Sequence, residues 1–147
     1  NRVVEKYSDV KCIVVGDGKK EYVAQFTGMV EGLIKENKLQ YYRKATQAQL
    51  ADLYKRASLM IFPSNYEIFG MVLAEAVYFG LPVISTPNGG ADMLIHHERV
   101  GSIIQDFEID EWMNAIDHYY KERRTSEMKQ EVLWDEVIKK MIPVYIS

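Results

Sequence analysis

Short apolar runs and amphipathic segments alternate along the chain. The apolar runs have the length of strands buried in a parallel sheet, and they lie at Cys12–Val15, Leu39–Tyr42, 59–62, 83–86 and 102–104. Segments with helix-forming composition or apolar residues at helical spacing separate them, at 21–37, 46–56, 71–79, 91–95 and 109–121. Two more helices are predicted near the ends, at 3–7 and 126–141. This alternation predicts an α/β fold, a doubly wound parallel sheet of Rossmann-like type.

Local signals mark several boundaries between these elements. Thr46 and Gln49 have the spacing of a capping box, which opens the helix at 46–56. Gly80 ends the helix at 71–79, and Pro82 prevents that helix from resuming. Asp106 is a candidate cap for the helix at 109–121.

Length and composition limit the possible classes of protein. The 147 residues are enough for one domain with its own core, and we expect residues 1–147 to form a single domain. The formal charge of −3 argues against a nucleic-acid partner, and Cys12 is the only cysteine, so no intrachain disulfide can form. No apolar stretch is long enough to span a bilayer and no signal peptide is visible, so the expected location is cytoplasmic.

The most informative segment is 63–90, which reads PSNYEIFGMVLAEAVYFGLPVISTPNGG. It predicts a strand, a turn, a helix and a second strand, with Glu67 in the turn, Gly70 at the start of the helix and Glu75 within the helix. Open α/β sheets bind ligands at the carboxyl ends of their strands. The free amides at the start of the helix would favour a nucleoside diphosphate, and the two carboxylates could accept hydrogen bonds from hydroxyls of a sugar or a ribose.

This segment resembles the family-4 retaining glycosyltransferases of GT-B fold. The resemblance rests on E-x7-E from Glu67 to Glu75, on Phe69-Gly70 inside it, and on Gly80-Leu81-Pro82-Val83-Ile84 after it. It extends over about residues 11–145, where 13–18 resemble the family strand that ends in G-x-G, 50–54 resemble its E-L-x-x-Y helix, and Leu133-Trp134 with Tyr145 resemble its C-terminal segment.

The resemblance implies the C-terminal, donor-binding half of a GT-B architecture, which is a nucleotide-sugar-binding domain. The N-terminal acceptor domain and the first strand of this domain, with its Arg and Lys, are not in the sequence. We therefore expect a hexosyltransferase-type enzyme when the protein is full length, and an inactive fragment when this chain is alone. The implied setting is polysaccharide or glycolipid synthesis, with an acceptor sugar or glycolipid bound through the missing domain.

The resemblance also assigns roles to the two glutamates. Glu67 would face the transferred sugar as the catalytic residue, although a loop carboxylate or a cap of the following helix is the alternative reading. Glu75 would accept hydrogen bonds from both ribose hydroxyls, although a solvated helix glutamate is the alternative. Because the neighbours of Glu75 in the sequence are apolar, we expect its charge to need a partner.

Further donor-binding positions follow from the same resemblance. Backbone amides at the helix start would bind the diphosphate, and they belong to Phe69, Gly70, Met71 and Val72. Lys44 and Ala45 lie in the loop that the family places against the nucleotide base, but Arg43 stands where the family usually has a glycine. Gly89-Gly90 match a family turn, whose following glutamate is replaced by Met93.

Other features lead to expectations of absence or to alternatives. His96 and His97 are adjacent and have no other ligand at metal-binding spacing, so we expect no metal site there. The resemblance implies an enzyme that needs no metal or other cofactor and takes a nucleoside-diphosphate sugar as its substrate. An aromatic and basic cluster at 119–124 suggests peripheral contact with the inner face of a membrane, although helix packing is favoured. The alternative functions are a GT-B nucleotide-sugar epimerase and a non-catalytic nucleotide-sugar-binding module.

Overall fold

A computed structural model describes residues 2–64 and 66–122, and in these residues helices and parallel strands alternate. The helices are α1 (Arg2–Lys6), α2 (Lys20–Lys35), α3 (Gln47–Arg56), α4 (Met71–Tyr78), α5 (Gly89–Leu94) and α6 (Ile109–Glu122). The strands are β1 (Cys12–Val15), β2 (Leu39–Tyr42), β3 (Met60–Phe62), β4 (Val83–Ser85) and β5 (Gly101–Ile103). Packing divides the chain into two compact units, Asn1–Leu53 and Tyr54–Ser147.

The first unit contains a two-stranded parallel sheet. Strand β1 pairs with β2 in a register that sets Cys12 opposite Leu39 and Val15 opposite Tyr42. Helix α2 connects the strands and packs against β2, where Phe26 meets the edge of the Tyr41 ring at 5.3 Å between ring centroids. A parallel pair needs such a crossover, which explains the helix between two consecutive strands.

Helix α3 begins with the predicted capping box. The Thr46 amide donates to Gln49 Oε1 at 2.8 Å, and the Gln49 amide donates to Thr46 Oγ1 at 3.3 Å. Two amides that have no carbonyl one turn earlier are thereby satisfied. This prediction, made from spacing alone, is confirmed.

The second unit is built around β4. This strand lies between β3 and β5 in a three-stranded parallel sheet, and each of its residues is buried. Helices α4 and α6 pack against β4, and α5 packs against α4. The shared core is formed by Leu73, Ala74, Ala76, Val77, Leu81, Val83, Ala91, Leu94 and Val100.

The predicted elements agree with the structure apart from shifts at their ends. The strand predicted at 102–104 begins one residue earlier, and the helix predicted at 91–95 begins at Gly89 because Asn88 caps it there. Helix α4 ends at Tyr78, and Gly80 follows two residues later with a φ of 76°, the left-handed conformation that glycine adopts readily after a helix. The helix predicted at 126–141 and the resemblance at 133, 134 and 145 lie outside the described residues.

The α/β class with parallel sheets is confirmed, and the expectation of one domain over residues 1–147 stays a prediction. Among the described residues, no helix combines the length and the apolar composition needed to cross a bilayer.

Candidate functional site

The turn between β3 and α4 holds Glu67 against the start of the helix. Gly70 is the residue before the first helical turn, and its φ of 60° and ψ of 47° are left-handed. Glu67 Oε1 accepts hydrogen bonds from the Gly70 amide at 3.0 Å and, more weakly, from the Phe69 amide at 3.4 Å. The Glu67 carboxylate thus caps the N-terminus of α4, where the helix dipole favours a negative charge.

A second turn holds this loop from the side of α5. The Gly89 amide donates to the Glu67 carbonyl at 3.0 Å. A Cβ at Gly89 would lie 2.6 Å from the Ile68 carbonyl oxygen, and a Cβ at Gly90 would lie 2.8 Å from the Gly70 Cα. The paired glycines are therefore required by close approach of two backbones.

Asn88 connects the ends of β3 and β4 with the start of α5. Its Oδ1 accepts from the Ala91 amide at 2.9 Å, and its Nδ2 donates to the carbonyls of Ser64 at 3.0 Å and Thr86 at 2.9 Å. The side chain is buried, so these bonds replace the water that it loses. The sequence analysis missed Asn88, although an asparagine directly before a short helix is a recognisable cap signal.

Glu75 lies one turn into α4 and is half-buried. Its Oε2 accepts a hydrogen bond of 3.0 Å from the Tyr54 hydroxyl, which also lies 3.4 Å from the Val72 carbonyl oxygen. Burial, and after it the Glu75 carboxylate, raise the pKa of Tyr54 well above its usual range. The expected partner of Glu75 is thus Tyr54. The sequence placed Tyr54 in the segment 50–54 that resembles the family's E-L-x-x-Y helix, but it gave no sign of this contact.

The amides at the start of α4 have two different environments. Those of Phe69 and Gly70 are occupied by Glu67 Oε1. Those of Met71 and Val72 belong to the first turn of the helix, where no carbonyl lies one turn earlier to accept from them. This end of α4 can therefore bind an anion.

One turn and one helix bring together six of the predicted site residues, namely Glu67, Phe69, Gly70, Met71, Val72 and Glu75. Lys44 and Ala45 belong to the first unit, in the loop after β2, where Lys44 is exposed and Ala45 is half-buried. The assigned role of each of these residues stays a prediction.

The loop after β2 is tied to the turn after β1 within the first unit. Arg43 donates to Asp17 Oδ1 from Nη2 at 2.7 Å and from Nε at 3.0 Å. The hydrogen bond with Arg43 lowers the pKa of Asp17, and the Gly18 amide lowers it further. The residue that departs from the family pattern is therefore bonded to the G-x-G turn.

The described residues contain no cluster of three or more His, Cys, Asp or Glu able to hold a metal ion. His96 and His97 are exposed in the loop after α5. Metal independence stays a prediction.

The family of the chain follows from its match to a family model. Residues 1–132 match the model described as glycosyl transferases group 1. The chain belongs to the glycosyl transferases group 1 family. This match agrees with the resemblance to glycosyltransferases of GT-B fold that was found in the segment at 63–90.

Named relatives of this glycosyltransferase chain agree with that family. D-inositol 3-phosphate glycosyltransferase of Mycobacterium tuberculosis (strain ATCC 25618 / H37Rv) is 29% identical over 120 residues, which cover 80% of this chain and 25% of that protein. The chain therefore spans about a quarter of the length of the curated relatives that it matches.

Solved glycosyltransferase structures share the fold. A glycosyltransferase from Rickettsia africae ESF-5 is similar with a TM-score of 0.74 at 21% identity, over 94% of this chain and 38% of that one. Anabaena HepE in complex with UDP-glucose is similar with a TM-score of 0.73 at 24% identity, over 89% of this chain and 36% of that one. At these identities the likeness shows the fold alone, and it agrees with the predicted α/β domain that forms half of a GT-B architecture.

Proposed function

We propose that this chain is the donor-binding part of a retaining glycosyltransferase, which holds a nucleoside-diphosphate sugar for transfer to an acceptor. The observation that carries the proposal is the start of α4, where two carboxylates and the amides of a first turn lie at the carboxyl end of β3. Membership of the glycosyl transferases group 1 family supports it. The complex of HepE with UDP-glucose, a protein of the same fold, supports the choice of donor class.

In this proposal, Glu75 binds the ribose of the donor. Tyr54 bonds to Oε2 of Glu75, so Oε1 is the carboxylate oxygen assigned to ribose hydroxyls. A carboxylate is a stronger acceptor than an amide oxygen, because a hydrogen bond to a charged group is stronger than one between neutral groups.

The diphosphate would bind at the first turn of α4. The amides of Met71 and Val72 are the donors best suited to it, since those of Phe69 and Gly70 already bond to Glu67. A negatively charged diphosphate would repel the Glu67 carboxylate, which would favour its rotation toward the sugar and release two more amides. This gives Glu67 a cap role before donor binding and an electrostatic role toward the sugar afterwards.

The remaining assignments concern the longer protein. We propose transfer of a hexose without a metal ion, to a sugar or glycolipid acceptor held by a separate N-terminal domain, in polysaccharide or glycolipid synthesis. The name of the mycobacterial relative, D-inositol 3-phosphate glycosyltransferase, supports a small hydroxylated acceptor as the class to test first. The proposed location is cytoplasmic, and peripheral contact with the inner face of the membrane is the alternative to test.

Calorimetry with UDP, GDP and ADP tests donor binding by the chain. We expect one of the three to bind, and Glu75→Gln to weaken that binding by about ten- to a hundredfold, since a hydrogen bond to a charged group contributes about 1.5–3 kcal/mol. Glu31→Gln is the matched control, because Glu31 is an exposed residue of α2 paired with Lys35. Binding of none of the three, or equal affinity in the Glu75→Gln variant, would refute the proposal.

A further inference from the structure

We infer that Tyr54 is a positioning residue for Glu75, and that it sets the selectivity of the site for a ribose with both hydroxyls. The inference rests on the ribose role proposed for Glu75. It assigns a function to a residue of α3 that lies 21 positions before Glu75 in the chain.

The first step is the geometry of the carboxylate. A glutamate side chain has three rotatable torsions, and without a partner it samples several positions on a helix surface. The Tyr54 hydroxyl donates to Glu75 Oε2 at 3.0 Å, which fixes one oxygen and directs the other.

The second step is that Tyr54 itself is held in place. Its ring stacks on Phe79, with 5.5 Å between ring centroids and 17° between ring planes. Phe79 follows Glu75 by four residues, so the two side chains lie on the same face of α4. The ring also packs against the core of the second unit.

The third step is what a fixed carboxylate does for binding. An acceptor that is already oriented loses less conformational freedom when it bonds to a hydroxyl, so more of the bond energy contributes to affinity. A tyrosine hydroxyl keeps its proton at neutral pH, and burial and the Glu75 carboxylate raise the pKa of Tyr54 further, so this hydroxyl is a donor to Glu75. The contribution of Tyr54 to nucleotide affinity should depend on the ribose hydroxyls, because Glu75 is proposed to bond to them and not to the base or the phosphates.

The test compares ribonucleotides with their sugar-deoxygenated analogues. Calorimetry would use UDP, GDP and ADP, each beside its 2′,3′-dideoxy counterpart, with the wild-type chain and Tyr54→Phe. Phenylalanine keeps the stacked ring and removes only the hydroxyl. We expect Tyr54→Phe to weaken the bound ribonucleotide by about three- to tenfold, the contribution of one hydrogen bond, and to leave the dideoxy analogue within about twofold of wild type.

Tyr119→Phe is the matched control. It removes another tyrosyl hydroxyl of the same unit, one that bonds to Ser102 Oγ at 2.8 Å and the Glu98 carbonyl at 3.0 Å. We expect this variant to bind both nucleotides as the wild type does.

A double variant tests whether Tyr54 acts through Glu75. If it does, Tyr54→Phe should add less than about twofold to the loss already caused by Glu75→Gln, because the two changes disrupt one interaction. Full additivity would overturn the inference.

The outcomes separate this inference from the proposed function. Equal affinity of the wild type for ribose and dideoxy nucleotides would remove the ribose role of Glu75 and the inference with it. Discrimination by the wild type that persists unchanged in Tyr54→Phe would overturn the inference alone. Equal losses for both nucleotides would assign Tyr54 a purely structural role and also overturn it.

Discussion

At the scale of single residues, Glu67 combines a structural contact with a proposed catalytic one. Its Oε1 bonds to the Gly70 amide, so the cap that the sequence offered as the alternative reading is present in the structure. The proposed electrostatic role depends on the negative charge, whereas the cap depends mainly on an oxygen that accepts hydrogen bonds and gains less from the charge. Substitutions can therefore separate the two.

We expect Glu67→Ala to lower the free energy of unfolding by about 1 kcal/mol, because the Gly70 amide loses its acceptor. Glu67→Gln keeps an acceptor oxygen and should unfold close to the wild type. Urea unfolding of the three chains measures this difference. Equal stability of the Ala variant and the wild type would show that the contact does not stabilise the helix.

The catalytic role of the Glu67 charge is tested by measuring the turnover of both Glu67 variants in the longer protein. Turnover should fall by about a hundredfold or more in both variants, the scale seen when one electrostatic stabiliser of a transition state is removed. A Glu67→Gln enzyme with normal turnover would leave Glu67 with the cap role only.

At the scale of elements, the site depends on the close approach of two helix starts. The backbone of α5 at Gly90 lies so near Gly70 that a Cβ has no room. Gly70 has the left-handed conformation from which α4 begins, and it lies directly against this part of α5. Helix α5 thus shapes the turn that carries Glu67, although it contributes no carboxylate to it.

We expect Gly90→Ala to lower the free energy of unfolding by about 1–3 kcal/mol, because the contact at 2.8 Å is with backbone that cannot rotate away. Gly32→Ala is the matched control, since no atom lies within 4 Å of a Cβ added there within α2. Alanine in an open helix position should stabilise the chain by about 0.5–1 kcal/mol. Chemical denaturation measures both changes, and destabilisation of the two variants to the same degree would contradict the packing argument.

At the scale of the whole molecule, the half-buried Tyr54 and the buried Tyr119 connect stability with pH. Burial raises the pKa of Tyr54 and of Tyr119, and nearby carboxylates add to it. The hydroxyl of Tyr119 bonds inside the second unit, so this residue is not part of a surface for membrane contact. Tyr120 and Lys121 of the same cluster belong to α6, whereas Arg123 and Arg124 lie outside the described residues. Membrane contact stays a prediction.

We expect the stability contributed by these two tyrosines to be fully present below about pH 10 and to be lost as the pH rises further. An unfolded tyrosine ionises near pH 10, while Tyr54 and Tyr119 keep their protons in the folded chain, so ionisation then favours unfolding. Urea unfolding between about pH 9 and 11 measures the slope. Tyr54→Phe and Tyr119→Phe should each make the fall shallower, and unchanged slopes would contradict the assignment.

The sequence determined the order of helices and strands, the capping box of Thr46 and Gln49, and the position of the turn that carries Glu67 and Glu75. These features depend on neighbouring residues, so periodicity and turn chemistry reveal them. The segment at 63–90, which contains both glutamates, also pointed to the glycosyltransferase family.

Only the tertiary structure decided which side chains meet at that turn. Tyr54 reaches Glu75 across 21 residues of sequence, and Asn88 reaches the Ser64 carbonyl across 24. Such pairs form when strands and helices pack, and no local pattern shows which polar group will face another. The structure also decided that Glu67 caps the turn, since its Oε1 accepts from the Gly70 amide at 3.0 Å.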